Sequence, residues 1–271
     1  RRQLDGGMKR MPRLKPFRPA DLTAILERTV SGVPGTIGVA VTDLITGRTA
    51  GLNPTTEFYA ASTIKVPIAM AVLWLVDHGR LTLDETIAYQ PEDFQAGTGI
   101  LQTTIRPGDR ISVRRLLELM ITVSDNIARN MLERYIGSGT IRQYMLGLGV
   151  APAYDPLETP VTPSGMNQVL IALDSGRSGL SPESTRMLIR WMEEAVFRQR
   201  IPRYLPENVV AATKIGSRDD EFHDIGLVYA PARSFAISVF TKGLPEAQAE
   251  ELIGRIAEAV YWYEDSLTRP G

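Results

Sequence analysis

Strand-like segments lie near both ends of this chain and enclose a middle section with helical patterns. Thr36 to Leu44 and Phe235 to Thr241 are rich in the β-branched and aromatic residues typical of buried strands. Apolar residues recur at helical spacing in six stretches between them: 62–76, 113–122, 126–136, 140–148, 163–173 and 182–195. This order favours an α/β (α+β) fold, in which an antiparallel sheet flanked by helices is accompanied by an all-helical subdomain.

The remaining patterns divide the chain into two parts of one domain. Helices are predicted at 21–31 and 245–263, and further strands at 209–214 and 225–229. We therefore expect a sheet part at about 20–58 and 205–271, and a helical part at about 59–204. Together they form a single domain over residues 20–271.

Residues 1–19 differ from the rest of the chain. Basic residues are frequent there, prolines are interspersed, and Asp5 is the single acidic residue. We predict a solvated, mostly disordered arm. Attachment of this arm to an anionic surface is the alternative interpretation.

The composition excludes several kinds of catalytic and binding site. The chain has no cysteine, which excludes disulfides and a thiol nucleophile, and its two histidines argue against a metal centre or a metal cofactor. A formal net charge of −1 argues against a nucleic-acid partner. No apolar stretch is long enough to span a membrane and no signal peptide is visible. We expect a periplasmic or secreted monomer whose leader has been removed.

Ser62 and Lys65 are the first candidates for catalysis. They are three positions apart at the start of an apolar helical stretch, so both side chains can share one helix face. A serine hydroxyl is a weak nucleophile and needs a base, and a buried lysine near a second cation can supply one. The helix start also offers free backbone N–H groups to an oxyanion. Alternatively, Ser62 is a helix cap and Lys65 a solvated side chain.

Two more motifs follow in the order typical of one enzyme family. Ser124-Asp125-Asn126 opens a predicted helix, and Lys214-Ile215-Gly216 ends a predicted strand. With Ser62 and Lys65 they match the Ser-x-x-Lys, Ser-Asp-Asn and Lys-Thr-Gly motifs of the penicillin-recognising serine enzymes. From about Ala20 to Tyr263 the sequence resembles the class A β-lactamases and their penicillin-binding relatives.

The resemblance implies a role for each motif residue. Ser62 would form an acyl-enzyme, with Lys65 and Ser124 moving protons. Asn126, Lys214 and Gly216 would border the substrate, Lys214 facing its carboxylate. Backbone N–H groups of Ser62 and Ser217 would form the oxyanion hole. Asp125 is interpreted as structural.

Two departures from the family pattern affect the predicted mechanism. Ile215 stands where the family has a hydroxyl residue, so Ser217 or Arg218 is expected to bind the substrate carboxylate instead. The loop between Val150 and Thr162 is short. Glu158 falls near the place of the family's deacylating glutamate, but Val161 stands where an asparagine is expected. Glu158 is thus either the deacylation base or an exposed loop carboxylate.

His223 and Asp224 are adjacent on a predicted strand, so their side chains should point to opposite faces. We interpret His223 as structural. Thr98, between two glycines, either borders the cleft or belongs to a plain turn.

Three functions fit this pattern. The leading one is a serine hydrolase that opens β-lactams. The second is a DD-peptidase-like, penicillin-binding enzyme that acts on D-Ala-terminated peptidoglycan peptides. The third is a module that binds β-lactams without hydrolysing them, and the complete set of motif residues makes it the least favoured. The expected partner is a small β-lactam or such a peptide.

Overall fold

The computed structural model describes residues 16–150, 154–156 and 159–267. The helices in these ranges are α1 (Pro19–Thr29), α2 (Lys65–Asp77), α3 (Leu101–Thr104), α4 (Val113–Thr122), α5 (Asn126–Ile136), α6 (Ser138–Gly147), α7 (Pro163–Asp174), α8 (Pro182–Glu193) and α9 (Glu246–Ser266). The strands are β1 (Thr36–Asp43), β2 (Thr49–Leu52), β3 (Phe58–Tyr59), β4 (Thr86–Ala88), β5 (Arg110–Ser112), β6 (Pro160–Val161), β7 (Val210–Arg218), β8 (Glu221–Tyr229) and β9 (Phe235–Lys242). Short 3-10 turns cover Ala61–Ile64, Pro91–Asp93 and Ile201–Tyr204.

Both ends of the chain contribute to one five-stranded sheet. Its strand order is β2-β1-β9-β8-β7, and every neighbouring pair is antiparallel. The first long strand lies beside the last, with Val39 opposite Val239. The predicted fold class, an antiparallel sheet with flanking helices and a helical part, is therefore confirmed.

Alternation along the strands gives the sheet two buried faces. In β9, Ile237 and Val239 pack with α1 and α9, whereas Ala236 and Phe240 pack with the helical part. Residues two apart on a strand share a face, so this alternation builds both cores from one strand. In the helical part α2 is apolar on nearly all sides, and it is buried centrally among the other helices.

Several helices of the helical part begin directly after a residue whose side chain caps the helix. The cap oxygen accepts a hydrogen bond from a backbone N–H in the first helical turn, which stabilises the helix end. Four such caps fix α4, α5, α7 and α8: Ser112, Asp125, Thr162 and Ser181. They explain why the predicted starts of these four helices coincide with the observed ones.

Three features differ from the sequence prediction. Ser62 lies in a 3-10 turn before α2 begins at Lys65. The Lys-Thr-Gly-like motif does not end its strand, because β7 continues to Arg218. The two-residue strands β3 and β6 are too short to leave a periodic signal.

The predicted basic arm lies mostly outside the described residues. Of its last residues, Phe17 is buried and its ring packs edge-on against Tyr263 of α9 at 5.6 Å. The Arg18 N–H donates to the Tyr263 hydroxyl at 2.8 Å, and α1 begins at Pro19. The last residues of the segment, from Phe17 onward, therefore belong to the folded body.

Candidate active site

A cleft of about 550 Å³ lies between β7 and the helical part of the protein. Seven of the predicted catalytic and substrate-binding residues border it: Ser62, Lys65, Ser124, Asn126, Gly216, Ser217 and Arg218. Lys214 reaches it from β7 through a hydrogen bond to Ser124. Segments far apart in the sequence therefore meet at one site, as the motif order predicts.

Ser62 is half-buried in the 3-10 turn that leads into α2. The turn packs tightly against β7, because a Cβ atom at Gly216 would lie 2.9 Å from the Ala60 carbonyl oxygen and 3.0 Å from the Ser62 nitrogen. These distances are too short for a side chain. Gly216 is therefore required for β7 to pass directly beside the serine.

Lys65 is buried and its amine has three acceptors. Nζ lies 2.7 Å from the Ser124 carbonyl oxygen, 3.2 Å from Ser124 Oγ and 2.7 Å from Asn126 Oδ1. Ser124 adopts a left-handed backbone conformation with φ of 55°. Such a conformation is strained for a serine and is often found at functional sites. Here Ser124 offers both its carbonyl and its hydroxyl to Lys65.

Lys214 is the second cation of the cleft. It is buried, and Nζ donates to Ser124 Oγ at 2.9 Å and to the carbonyl oxygen of Ile215 at 3.1 Å. The Ser124 hydroxyl therefore lies between two amines. No carboxylate side chain directly neutralises Lys214 among the hydrogen bonds of the described residues.

Burial is the main influence on both amines. It lowers the pKa of Lys65 well below its ordinary value, with Lys214 and Arg129 lowering it further and Asp125 opposing. Burial likewise lowers the pKa of Lys214 to about 7, against an opposing contribution from Asp224. A neutral amine, which can act as a base, is therefore accessible at this site near neutral pH.

Asp125 does not reach the cleft. Its Oδ1 accepts from the backbone N–H of Ala128 and so caps α5, and its Oδ2 accepts from the N–H of Leu101. Asn126, the first residue of α5, instead projects its side-chain oxygen to Lys65. The Ser-Asp-Asn motif therefore combines one structural residue with two that face the site.

Comparison with known proteins agrees with this geometry. Residues 20–263 match the profile of the Beta-lactamase enzyme family. The chain belongs to this family. It is 27% identical over 271 aligned residues to the extended-spectrum β-lactamase PER-1 of Pseudomonas aeruginosa, an alignment covering 88% of this chain and 86% of that protein. The predicted family and enzyme class, a serine hydrolase of the β-lactamase type, are confirmed.

Two solved structures are similar to this chain over almost their whole length. A β-lactamase from Sphaerobacter thermophilus is 28% identical with a TM-score of 0.82, and the match covers 92% of this chain and 98% of that one. PBP-A has the same identity and coverages with a TM-score of 0.85. A variant of PBP-A with leucine replaced by glutamate has been solved as an acyl-enzyme complex with penicillin G.

The first departure from the β-lactamase family pattern lies at Ile215 and its neighbours. Ser217 Oγ accepts a hydrogen bond from Arg200 Nη2 at 2.7 Å. The Arg218 guanidinium stacks over the Tyr59 ring at 4.1 Å and is half-exposed at the rim. Of the two expected replacements for the missing hydroxyl, Ser217 lies beside a buried cation, and Arg218 is engaged with an aromatic ring.

Arg200 is the functional candidate that the sequence analysis missed. It is completely buried, and its Nη1 donates to the carbonyl oxygens of Gly216 in β7 and His223 in β8 at 2.8 and 2.7 Å. Carboxylate oxygens of Glu246 and Glu250 lie 3.6 and 3.7 Å from the guanidinium, so its charge is partly balanced, and it reaches the cleft through Ser217. The chain around it, Arg198-Gln199-Arg200, resembles an ordinary charged loop, so no local signal identifies it.

The short loop is the second departure from the β-lactamase pattern. Leu157 and Glu158 lie outside the described residues, so the role of Glu158 stays a prediction. Tyr154 anchors the preceding part of the loop: it is buried, its hydroxyl donates to Glu133 Oε1 at 2.6 Å, and it accepts from Arg129 Nη2 at 3.0 Å. No sequence pattern identifies this anchor.

The far end of the same loop is tied directly to the serine turn. The carbonyl oxygen of Thr159 accepts from the backbone N–H of Ala60 at 3.0 Å, and Thr159 borders the cleft. Thr98 also borders it and donates its hydroxyl proton to the Ser124 carbonyl oxygen at 2.6 Å. Loop residues from both sides therefore complete the cleft walls.

His223 and Asp224 point to opposite faces of β8, as their positions on the strand predict. His223 Nε2 lies 2.8 Å from the carbonyl oxygen of Tyr59, whereas Asp224 Oδ2 accepts from the N–H of Ile201 at 3.0 Å. Burial raises the pKa of Asp224 to about 7. The two residues do not form a catalytic pair.

In the part of the chain that the structure describes, no group of three or more histidine, aspartate or glutamate side chains is placed to bind a metal ion. Within the same ranges, none of the helices has the length and apolar character needed to cross a membrane.

Proposed function

We propose that this protein hydrolyses β-lactams through a covalent acyl-enzyme on Ser62. The observation that carries the proposal is the convergence of Lys65 and Lys214 on the hydroxyl of Ser124 beside that serine. Such an arrangement supplies a nucleophile, a base with a lowered pKa and a proton relay in one cleft. Family membership supports the same activity.

Acylation then follows from the positions of these groups. Neutral Lys65 receives the Ser62 proton as Oγ attacks the lactam carbonyl carbon, and the carbonyl electron pair moves onto oxygen. As the C–N bond breaks, the leaving nitrogen takes a proton from Ser124, and Lys65 returns one to Ser124. The oxyanion is stabilised by the backbone N–H groups of Ser62 and Ser217.

Substrate binding uses the end of the cleft beside Lys214. The Lys214 ammonium and the hydroxyl of Ser217 suit the carboxylate shared by penicillins and cephalosporins. In this arrangement Ser217, which accepts a hydrogen bond from buried Arg200, takes the place of the hydroxyl missing at Ile215. Water then attacks the acyl ester, releases the ring-opened acid and restores Ser62.

A penicillin-binding peptidase is the second candidate. Two observations favour it: the similarity to PBP-A, and a short loop with Val161 where an asparagine would hold the hydrolytic water. In that case Ser62 is acylated by a peptide ending in D-Ala, D-Ala leaves, and β-lactams are released slowly.

Parallel assays separate the two functions. Purified protein is given penicillin G in one reaction and a peptide ending in D-Ala-D-Ala in the other, with Ser62→Ala as the matched control. Many turnovers of penicillin without D-Ala release support the β-lactamase. Release of D-Ala, with penicillin consumed only once per protein, would overturn it in favour of the peptidase.

A further inference from the structure

We propose that Glu221 and His223 position the oxyanion hole by binding the backbone of Tyr59 from both sides. This inference rests on the proposed acylation of Ser62. Its starting point is a structural requirement: the two N–H groups come from separate elements, the turn at Ser62 and strand β7 at Ser217. Their spacing must be held to a few tenths of an ångström for both to reach one oxygen atom.

The contacts of Tyr59 are the first observation. Its backbone N–H donates to Glu221 Oε2 at 3.0 Å, and its carbonyl oxygen lies 2.8 Å from His223 Nε2. Tyr59 belongs to β3, which pairs with β6 and is not a strand of the five-stranded sheet. The two side chains on β8 therefore join β3, and the serine turn that follows it, to the main sheet.

The other half of the oxyanion hole is joined to the same two residues through the sheet register. Gly216 lies opposite His223, and Ser217 lies opposite Phe222, in the antiparallel pairing of β7 with β8. One strand thus carries both the side chains that bind Tyr59 and the ladder that fixes Ser217. Strand β8 therefore contributes to the distance between the two N–H groups, together with the direct packing of the serine turn against Gly216.

The protonation state of each side chain suits the hydrogen bond that it makes with Tyr59. Burial opposes the charge of Glu221, but the His223 ring 3.7 Å away and hydrogen bonds from Lys242 and the Tyr59 N–H prevail and lower its pKa to about 2. His223 is completely buried beside Phe58 and Phe240, and its Nδ1 accepts from the Thr241 N–H at 3.3 Å.

The hydrogen bonds of His223 assign its proton. Because Nδ1 accepts, Nε2 carries the hydrogen and donates to the Tyr59 carbonyl oxygen. Burial lowers the pKa of His223, so the ring stays neutral. At neutral pH an acceptor and a donor therefore bind the two sides of Tyr59. Neither residue borders the cleft, so both are positioning residues.

Substitutions at the pair test the proposal. His223→Phe fills the same space beside Phe58 and Phe240 but removes the donor, and Glu221→Ala removes the acceptor. Glu221→Gln keeps an oxygen for the Tyr59 N–H and serves as the conservative rescue. Phe240→Leu is the matched control, because it loosens packing around the His223 ring without removing either hydrogen bond.

Two readouts distinguish positioning from simple stabilisation. Rapid mixing with penicillin G gives the acylation rate separately from substrate binding, and infrared difference spectra with a labelled lactam carbonyl give the stretching frequency of the acyl ester. Weaker oxyanion-hole hydrogen bonds polarise that carbonyl less, so its frequency rises. A loss of about 10- to 100-fold in acylation, at unchanged binding, is expected for His223→Phe and Glu221→Ala.

The outcomes separate this inference from the function on which it rests. No adduct on the wild type would overturn both. A normal wild-type adduct, with slower acylation and a higher carbonyl frequency in the two variants but not in Phe240→Leu or Glu221→Gln, supports the inference. Variants that melt at lower temperature yet acylate at the wild-type rate with the wild-type frequency would overturn the inference alone.

Discussion

Lys65 and Lys214 donate to the same hydroxyl group, the Oγ of Ser124, at 3.2 Å and 2.9 Å. An ammonium group can only donate hydrogen bonds, so a fully charged pair could not take the proton of Ser62. Burial and the charge of Lys214 favour the loss of a proton from Lys65, whose neutral amine can accept that proton. Once protonated, Lys65 can pass a proton through the Ser124 hydroxyl, which therefore forms a relay between Lys65 and the leaving nitrogen.

The first prediction concerns Lys65. Acylation should accelerate with rising pH through an apparent pKa well below the ~10.4 of a free lysine, because the neutral amine is the base. That value belongs to the coupled pair of lysines. Stopped-flow acylation at several pH values measures it. Lys65→Arg keeps the charge but supplies no base, and should acylate ~100-fold more slowly or worse.

A flat pH profile for the wild type would contradict a neutral Lys65. So would a Lys65→Arg variant that acylates at the wild-type rate.

The second prediction concerns Lys214, whose pKa is lowered to about 7. The charged form attracts the substrate carboxylate, so binding should weaken as pH rises above that value, by at most about tenfold per unit. Arginine stays charged throughout this range, and Lys214→Arg should therefore bind independently of pH. Dissociation constants from pre-steady-state kinetics at pH 6 to 9 provide the comparison. The same pH dependence in both proteins would assign the titration to another group.

The third prediction concerns Glu158 in the short loop. If this carboxylate activates the deacylating water, Glu158→Gln should leave acylation intact and slow deacylation by roughly 100-fold. The acyl-enzyme would then accumulate during turnover. Glu207→Gln, which changes an exposed carboxylate elsewhere in the chain, is the control. A long-lived wild-type adduct that Glu158→Gln does not alter would favour the penicillin-binding peptidase.

The motif residues could be identified from the sequence because their signals are local. Ser62 and Lys65 share a turn, and Asp125 caps the helix that starts at Asn126, so short-range spacing already places them. Their order along the chain then indicated the family. Strand patterns at the two chain ends likewise predicted one antiparallel sheet built from both ends, but they did not specify that β1 pairs with β9.

The rest depends on contacts between distant segments. Arg200 meets Gly216 and His223 through strand pairing that no local pattern encodes, and its buried guanidinium lies in a charged stretch typical of a surface loop. Tyr154 resembles any loop tyrosine until α5 supplies its partners. The contacts of His223 with Tyr59 likewise appear only when β8 lies beside the serine turn.

The fourth prediction concerns Glu264, a buried carboxylate of α9 far from the cleft. Arg233 lies 3.5 Å from it but also pairs with Asp43, and neither Glu264 oxygen has a hydrogen-bond partner among the described residues. Burial, together with the negative charge of Asp43, raises the pKa of Glu264 to about 8. The folded protein therefore binds a proton that the unfolded chain releases above a pH of about 4.5.

The sign of the effect on stability follows from linkage. The pKa of Glu264 is higher in the folded protein than in the unfolded chain. The stabilisation that its protonation gives the folded protein is therefore fully present below pH ~4 and is lost as pH rises towards 8. Glu264→Gln mimics the protonated form and should raise the free energy of unfolding at pH 9 relative to the wild type, by on the order of 1 to 3 kcal/mol. Urea unfolding at pH 6 and 9 measures this, with Glu258→Gln, a half-buried surface carboxylate of the same helix, as the control. An equal difference at both pH values would contradict the raised pKa.

Intact-mass spectrometry over time tests the central claim, acylation and release at Ser62, most directly. Wild-type protein and Ser62→Ala are mixed with penicillin G, quenched at intervals and digested to locate any adduct. We predict that the wild type gains the full mass of penicillin on the peptide containing Ser62, that this adduct disappears as ring-opened product forms, and that Ser62→Ala gains nothing. Labelling of another serine, or the same adduct on Ser62→Ala, would contradict the account.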